Sequence, residues 1–323
     1  MPGMDDDVVI LAGSASRRLG QAIADYLDHP LGACETLHFS DGNVFVRVLE
    51  NVRGRDVFLV QGTSRPANDN FMELLFWVDA LKRASAASVT VVMPYFSYAK
   101  GDKKDEPRVS IRARVCADAI EAAGADRVLT MDLHAPQLQG FFRIPVDHMV
   151  AVPMFAQHIR DYLGTEVERV AVAPDTGRAK LAGKFAEMIG GGLVVLNKER
   201  PGHNQAKVTG VIGDVAVKVA VMTDDIIDTA GTLCAGAEAL REAGATRVIA
   251  CATHALFNDP ALARIADSAF EKVVVTDTVP VDELKRPANV EVLSISGLLA
   301  ETIQNVFSDD SVSAIFAGEN QLF

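Results

Sequence analysis

Apolar residues recur along the chain in short β-branched runs that are separated by longer amphipathic segments. Runs rich in Val and Ile cover residues 8–11, 56–62, 88–96, 127–134, 169–175, 193–198, 217–225, 247–257 and 272–277. Each run is too short for a long helix, and such runs are typical of strands buried on both faces of a parallel sheet. The pattern therefore predicts a protein built on parallel strands.

The segments between these runs show helical patterns rich in Ala, Leu and Glu. The clearest are "RRLGQAIADYL", "NDNFMELLFWVDALKRAS", "IRARVCADAIEAAG", "AKLAGKFAEMI" and "LCAGAEALREAG". Strand, helix and strand joined by short connections make βαβ units, so the predicted fold class is α/β.

A coarse internal repeat predicts two similar domains. Residues 56–96 and 218–257 both run through a strand, a polar loop, a helix, a small-residue turn and a second strand that ends on an aromatic. A chain of 323 residues is long enough to build two cores. We expect domains at 1–149 and 150–323, each a mainly parallel sheet flanked by helices, with the last helix packing on the N-terminal domain.

Composition and charge narrow the function classes. A net charge of −12 argues against binding of nucleic acid, whose phosphate backbone would be repelled. The four cysteines are scattered without metal-binding spacing, which is typical of a reducing compartment. Acids stand where a signal peptide needs basic residues, and no run of about 18 apolar residues occurs. We therefore predict a cytoplasmic protein with neither nucleic acid nor membrane as a partner.

The stretch "VMTDDIIDTAGTL" carries polar residues where a predicted strand ends and a helix begins. Free N–H groups at a helix start attract an anion such as phosphate. Hydroxyl groups and a glycine at this point add donors and allow close approach of the ligand. The residues of this predicted anion loop are Asp228, Thr229, Ala230, Gly231 and Thr232.

Two further acids, Asp224 and Asp225, stand just before the anion loop. Carboxylates repel phosphate but accept hydrogen bonds from vicinal hydroxyls. A phosphate on one side and a diol on the other describe ribose 5-phosphate. The alternative is a helix whose N-cap is Asp228 or Thr229, with two solvated acids beside it.

Three other predicted strand ends carry polar residues that chemistry could use. One holds Asp132 and His134; a lone histidine at a strand end is more often structural, but the acid two positions before it raises the odds of a metal or phosphate role. Another ends at Asp175, for which a helix cap is the alternative. The last, residues 196–215, concentrates cations at Lys198, Arg200, His203 and Lys207. A cationic loop of this kind resembles a lid that stabilises transition-state charge, and a solvated charged hairpin is the alternative.

Two earlier polar loops are flanked by aromatic residues. Phe39 and Phe96 could stack on a base, because aromatic rings favour such contacts. The segment "YAKGDKKDEPRVSIRAR" is the strongest basic cluster in this acidic chain. It favours a polyphosphate site, and a solvated charged face is the alternative.

These segments together resemble the ribose-phosphate pyrophosphokinase family, also called phosphoribosyl pyrophosphate synthetases. The resemblance covers roughly residues 8–315 and is carried by "FSDGN", "NVRGRDVFLVQGTSRPANDNFMELL", "DLHAPQLQGFF", "NKERPGHNQAKVTGVIGDV" and "TDDIIDTAGTLCAGAEAL". The histidine motif and the acid-rich loop are specific when they occur together in this order. The acid-rich loop alone indicates only the wider phosphoribosyltransferase fold.

The resemblance implies transfer of the β,γ-diphosphate of ATP to the anomeric hydroxyl of ribose 5-phosphate, with AMP released. It implies catalytic roles for Lys198 and Arg200, and contacts to ribose 5-phosphate from Arg200, Asp224, Asp225 and the anion loop. It also implies Mg²⁺ as the cofactor, with His134 and Asp175 near the metal. The implied ATP contacts are Phe39, Asp41, Gly42, Asn43, Lys100, Gly101, Asp102 and His134.

The resemblance to this family implies that the chain forms a homohexamer built from dimers. The resemblance further implies an ATP site shared between subunits, activation by phosphate and inhibition by ADP. The chain departs from the family pattern on the nucleotide side, at Asn43 and Lys100–Gly101, and after Asp175, where Arg178 replaces a glycine.

Two other functions stay open at this point. A non-catalytic paralogue could regulate synthetase subunits, although it would have no need to keep Lys198, Arg200 and His134. A phosphoribosyltransferase would consume the diphosphate product, but that class needs only one such domain and lacks the histidine motif.

Overall fold

The structure, a computed structural model, describes residues 7–202 and 205–312. By their internal contacts these residues fall into two compact units. The first contains the chain up to Met149, together with Thr278–Pro280 and the segment that begins at Ser294. The second contains Val150–Asp277 and Val281–Leu293.

The first unit is a five-stranded parallel sheet with helices and a separate hairpin. Its elements are β1 (Val8–Ala12), α1 (Arg17–Tyr26), β2 (Cys34–His38), β3 (Val44–Val48), β4 (Asp56–Val60), α2 (Ala67–Arg83), β5 (Ser88–Met93), α3 (Arg112–Ala123), β6 (Arg127–Met131) and β7 (Val146–Met149). The spatial order is β1-β4-β5-β6-β7, and β2 pairs with β3 alone, in antiparallel fashion. Every pairing in the five-stranded sheet is parallel.

The second unit is built around a seven-stranded sheet. Its elements are α4 (Val152–Leu163), β8 (Arg169–Ala173), α5 (Ala179–Ile189), β9 (Gly192–Gly202), β10 (Gln205–Ile212), β11 (Val219–Ile227), α6 (Gly231–Glu242), β12 (Arg247–Ala255), α7 (Ala261–Ala266), β13 (Lys272–Thr276) and β14 (Val290–Leu293). The spatial order is β10-β9-β8-β11-β12-β13-β14. Only the pairing of β10 with β9 is antiparallel.

The last helix, α8 (Ser296–Phe307), belongs to the first unit. Its Glu301 side chain accepts a hydrogen bond of 2.8 Å from the hydroxyl of Tyr26 on α1. A side chain added at Gly297 would meet the same tyrosine ring at 3.1 Å, so α8 lies close against α1.

The predicted strand runs all lie on strands of the two sheets, as β1, β4, β5, β6, β8, β9, β11, β12 and β13. Their central residues, such as Val91 and Ala171, are fully buried because helices cover both faces of the sheets. The pattern missed β2, β3, β7, β10 and β14. Of these, β2 and β3 lie outside the main sheet, and none of their residues is fully buried, so no continuous buried run marks them.

The order of strands reverses inside the second sheet. From β8 the chain passes through α5 to β9 on one side, and β11 pairs with β8 on the other. The carboxyl ends of two strands that diverge in this way leave a crevice, where open α/β sheets bind their ligands. Within the described residues, no helix is long and apolar enough to span a bilayer.

Candidate active site

The predicted acids of the second unit meet at the reversal between β8 and β11. Asp175 follows β8, and its carboxylate accepts the backbone N–H of Arg178 at 3.2 Å. The side chain of Arg178 reaches across to β11, where Nη2 lies 2.6 Å from Asp225 and Nε lies 4.0 Å from Asp224. One arginine therefore connects three carboxylates that the sequence places on two separate strand ends.

Burial and mutual repulsion shape the acid pair on β11. The side chain of Asp225 is 8% exposed and that of Asp224 is 28% exposed. Burial, followed by the charge of Asp225, raises the pKa of Asp224 well above that of an ordinary aspartate. The Arg178 guanidinium opposes this shift, because a neighbouring cation favours the ionised carboxylate. The pair is thus arranged to accept hydrogen bonds beside a fixed positive charge.

The anion loop continues from β11 into α6 through a left-handed residue. Ala230 is the N-cap of α6 with φ 57°, and its methyl side chain cannot accept a hydrogen bond from the helix. The alternative in which Asp228 or Thr229 caps the helix is therefore wrong. The first N–H groups of α6 begin at Gly231, so the loop presents backbone donors at the end of the acid-bearing strand.

A neighbouring segment contacts the anion loop through side chains that sequence reasoning missed. Asn258 donates from Nδ2 to the carboxylate of Asp228 at 2.8 Å. Arg264, on α7, donates from Nη1 to the carbonyl oxygen of Thr229 at 2.9 Å. Neither residue stands near the loop in the sequence, so only their place after β12, the strand beside β11, brings them there.

In the first unit, the predicted nucleotide residues of the hairpin form a tight turn between β2 and β3. Gly42 has φ 90°, which favours glycine, and its N–H donates to the carbonyl of Phe39 at 3.0 Å. Asn43 donates to Asp41 from its backbone and from its side chain, each at 3.0 Å. These two bonds, the backbone one first, lower the pKa of Asp41. The Phe39 ring, 52% exposed, is available for stacking.

Lys100, Gly101 and Asp102 lie at a short 3₁₀ helix in the first unit. A side chain at Gly101 would meet Nε of Arg112 at 2.7 Å, so Arg112 occupies the space beside this glycine. Gly101, where the chain departs from the family pattern, therefore leaves room for the Arg112 side chain of α3.

His134 stands exposed in the turn that follows β6. The turn begins at Asp132, whose φ of 33° is unusual for a residue other than glycine. The next N–H, that of Leu133, donates at 2.9 Å to Nε2 of His148 on β7. Burial lowers the pKa of His148 to about 4, so its ring stays neutral and able to accept this bond at neutral pH. His148 is a third residue that sequence reasoning missed.

The remaining predictions are only partly covered by the structure. Lys198 and Arg200 lie on β9, but their side chains fall outside the described part of the chain, and His203 falls outside it altogether. The proposed metal residues belong to different units, His134 to the first and Asp175 to the second. Among the described residues, no group of three or more His, Cys, Asp or Glu is arranged to hold a metal by itself.

Comparison with known proteins covers nearly the whole chain. The N-terminal domain of ribose phosphate pyrophosphokinase matches residues 8–124, and the phosphoribosyl synthetase-associated domain matches residues 194–317. A ribose-phosphate pyrophosphokinase of Thermotoga maritima is 47% identical over 313 residues, covering 96% of this chain and 98% of that protein.

Two further relatives agree with this result. The ribose-phosphate pyrophosphokinase of Chromobacterium violaceum is 46% identical over 97% of this chain and 96% of its own length. The crystal structure of phosphoribosylpyrophosphate synthetase from Mycobacterium smegmatis superposes with a TM-score of 0.88, at 41% identity, covering 94% of this chain and 100% of that one.

Proposed function

This chain belongs to the ribose-phosphate pyrophosphokinase family, and we propose that it transfers the β,γ-diphosphate of ATP to the C1 hydroxyl of ribose 5-phosphate. The products are 5-phosphoribosyl 1-diphosphate and AMP, and the enzyme serves nucleotide biosynthesis. The observation that carries this function is the full-length similarity to enzymes of that name, over 96% of the chain for the Thermotoga maritima protein. The same similarity gives no support to a non-catalytic regulatory role.

The second unit is assigned to ribose 5-phosphate. Asp224 and Asp225 accept hydrogen bonds from the ribose hydroxyls, and the anion loop holds the 5-phosphate at the start of α6. This assignment is supported by the position of both features where the strand order reverses, and by the uncapped helix start at Ala230.

The first unit is assigned to ATP. The exposed ring of Phe39 stacks on the adenine, and Asp41, Gly42 and Asn43 contact the base. Lys100, Gly101, Asp102 and His134 contact the remainder of the nucleotide. The hydrogen bonds of Asn43 to Asp41 support this role, since they fix the orientation of one acceptor in the turn.

Lys198 and Arg200 are proposed as the catalytic cations. Phosphoryl-type transfer depends on positioning and on stabilisation of negative charge more than on a covalent nucleophile. Lys198 and Arg200 are cations two residues apart on β9, within the segment "NKERP" that the family resemblance assigns to catalysis. Arg200 also contributes to binding of ribose 5-phosphate.

Mg²⁺ is proposed as the cofactor, with His134 and Asp175 beside it. When bound, Mg²⁺ would supply positive charge that neutralises part of the charge of the ATP phosphates. Because Mg²⁺ keeps several waters and needs few protein ligands, the carboxylate of Asp175 fits such a role even though the described residues form no cluster of three metal ligands. Asp175 also fixes the start of its own turn by accepting the N–H of Arg178.

Assembly and regulation complete the proposal. We expect a homohexamer built from dimers, an ATP site shared between subunits, activation by phosphate and inhibition by ADP. A cytoplasmic location stays a prediction.

One assay tests the function directly. Purified protein is incubated with ATP, ribose 5-phosphate and Mg²⁺, and AMP formation is measured with and without inorganic phosphate. We expect AMP only when both substrates and Mg²⁺ are present. AMP formation that does not depend on ribose 5-phosphate, or its complete absence under all conditions, would contradict the proposed function.

A further inference from the structure

The backbone of one segment is bonded to the strand residue that leads into the anion loop. The N–H groups of Leu256 and Phe257 both donate to the carbonyl oxygen of Ile227, at 2.9 and 3.2 Å. These residues follow β12 and open a segment that runs to Arg264 on α7, which we call the bracing segment (residues 256–264). The pairing of β11 with β12 is thereby extended past the end of β12.

Two side chains of the bracing segment bond to the next two residues of the chain. Asn258 donates to the Asp228 carboxylate at 2.8 Å, and Arg264 donates to the Thr229 carbonyl at 2.9 Å. The contacts therefore advance residue by residue, from the strand end into the anion loop.

The loop needs this external support because of its own conformation. Ala230 is buried and left-handed, with φ 57°. That region is unfavourable for an L-residue with a side chain, so surrounding contacts must hold Ala230 there. The three preceding residues supply such contacts through the bracing segment, and the N–H of Cys234 bonds back to the Ala230 carbonyl at 2.9 Å.

Arg264 also places a positive charge beside the predicted phosphate position. Arg264 is exposed, and its Nη1 lies 3.1 Å from the position that a Cβ atom at Gly231 would occupy. A guanidinium carries five N–H donors, of which the bond to Thr229 uses one. The helix start adds its own partial positive charge at the same point.

We infer that Asn258 and Arg264 preset the anion loop for its ligand, and that Arg264 additionally binds the phosphate group of that ligand. Asn258 is a positioning residue that acts through Asp228, whereas Arg264 acts both on the loop and on the anion. This inference rests on the proposed function, because the ligand is taken to be the 5-phosphate of ribose 5-phosphate.

Binding of ribose 5-phosphate is measured by calorimetry on the full chain and on Arg264 variants. We expect Arg264→Ala to weaken binding about 10- to 100-fold, since it removes a charge-assisted contact and the bond to Thr229. Arg264→Lys should restore affinity to within about fivefold, because the charge and one donor remain. In the steady state, the KM for ribose 5-phosphate should rise while the KM for ATP changes less than about twofold.

Arg286→Ala is the matched control. Arg286 is also exposed, and its Nη1 donates to a backbone carbonyl, that of Val290, at 3.3 Å in the same unit. Affinity equal to that of the unmodified chain is expected for this variant. Equal weakening in Arg286→Ala and Arg264→Ala would overturn the inference, as would full affinity in Arg264→Ala.

Amide hydrogen exchange tests the positioning role without using activity. In the ligand-free protein, Asn258→Ala should speed exchange of the amides at 229–233 and leave those of β13 unchanged. Unchanged exchange at 229–233 would overturn the positioning role. If the unmodified chain binds no ribose 5-phosphate, the proposed function fails, whereas the exchange result still tests whether Asn258 holds the loop.

Discussion

Both units carry buried or half-buried carboxylates, Glu73 on α2 in the first and Asp224 and Asp225 on β11 in the second, but they surround them differently. In the first unit, Glu73 of α2 is fully buried. It accepts hydrogen bonds from the backbone of Ser14 at 2.8 Å, from Thr36 at 2.9 Å and from Trp77 at 3.1 Å, as well as from the Ser14 hydroxyl. In the second unit, Asp224 and Asp225 instead face the guanidinium of Arg178.

The strand order explains this contrast. In the second unit β9 is a full strand beside β8, so the order reverses and a crevice forms. In the first unit the corresponding position beside β1 is reduced to a single parallel bridge between Ile10 and Leu31, after which the chain leaves for the β2–β3 hairpin. The carboxylate there is enclosed by protein donors, so it is structural, whereas the acids at the open reversal can serve a ligand.

The largest expected effect concerns β9, the strand that pairs with β8 in the second unit and that the first unit replaces with a single bridge. Lys198→Ala, on β9, should lower kcat about 100- to 1,000-fold because it removes a cation proposed to stabilise transition-state charge. Affinity for ribose 5-phosphate, measured by calorimetry, should be nearly unchanged. A variant with near-normal turnover would remove Lys198 from the mechanism.

Glu73→Ala should destabilise the first unit. It would leave the donors of Ser14, Thr36 and the fully buried Trp77 without this acceptor, so the free energy of unfolding should fall by roughly 3–5 kcal/mol. Glu73→Gln keeps the oxygen that accepts most of these bonds, and we expect it to cost only about 1 kcal/mol. Chemical denaturation measures both; equal losses in the two variants would contradict an acceptor role.

Acidic pH should affect the turn that carries His134 through its neighbour His148. Burial lowers the pKa of His148 to about 4 in the folded protein, whereas its ordinary pKa, about 6.5, applies in the unfolded chain. Between these two pH values, His148 is protonated in the unfolded chain and neutral in the folded protein. Stability attributable to this residue is therefore complete above about pH 6.5 and falls by roughly 3 kcal/mol as the pH drops toward 4.

The variant His148→Gln serves as the control for this pH dependence. Its amide oxygen can accept the N–H of Leu133 without titrating. Thermal unfolding midpoints recorded from pH 7 to 4 should therefore decline less steeply in His148→Gln. Identical pH profiles for the two proteins would contradict the assignment.

Asp225→Asn should affect binding and leave folding almost intact, in contrast to Glu73→Ala. Removing one carboxylate still leaves Asp224 near Arg178, so the free energy of unfolding should change by less than about 1 kcal/mol. The KM for ribose 5-phosphate should rise about 10-fold, through loss of a charged acceptor for its hydroxyls. Marked destabilisation would show that this acid is structural, like Glu73.

Local sequence patterns predicted the regular elements that lie deep in the sheets. Runs such as 88–96 form buried strands because helices cover both faces of the sheet. A strand buried on both faces needs apolar residues at consecutive positions, and that pattern is visible in the local sequence. The hairpin strands β2 and β3 were missed by the same reasoning, because they are only partly buried and polar residues such as Glu35 and Arg47 interrupt their apolar positions. The anion loop was visible because its acids, hydroxyls and glycine are consecutive in the chain.

The sequence by itself thus determined the α/β class, the family and the chemistry of each loop, since these depend on residues that are close along the chain. Tertiary structure alone decided that Arg178 would join Asp224 and Asp225, that Asn258 and Arg264 would reach the anion loop, and that His148 would hold the turn of His134. Each of these contacts depends on which strands become neighbours. Strand order is fixed by packing over the whole unit, and no local periodicity records it.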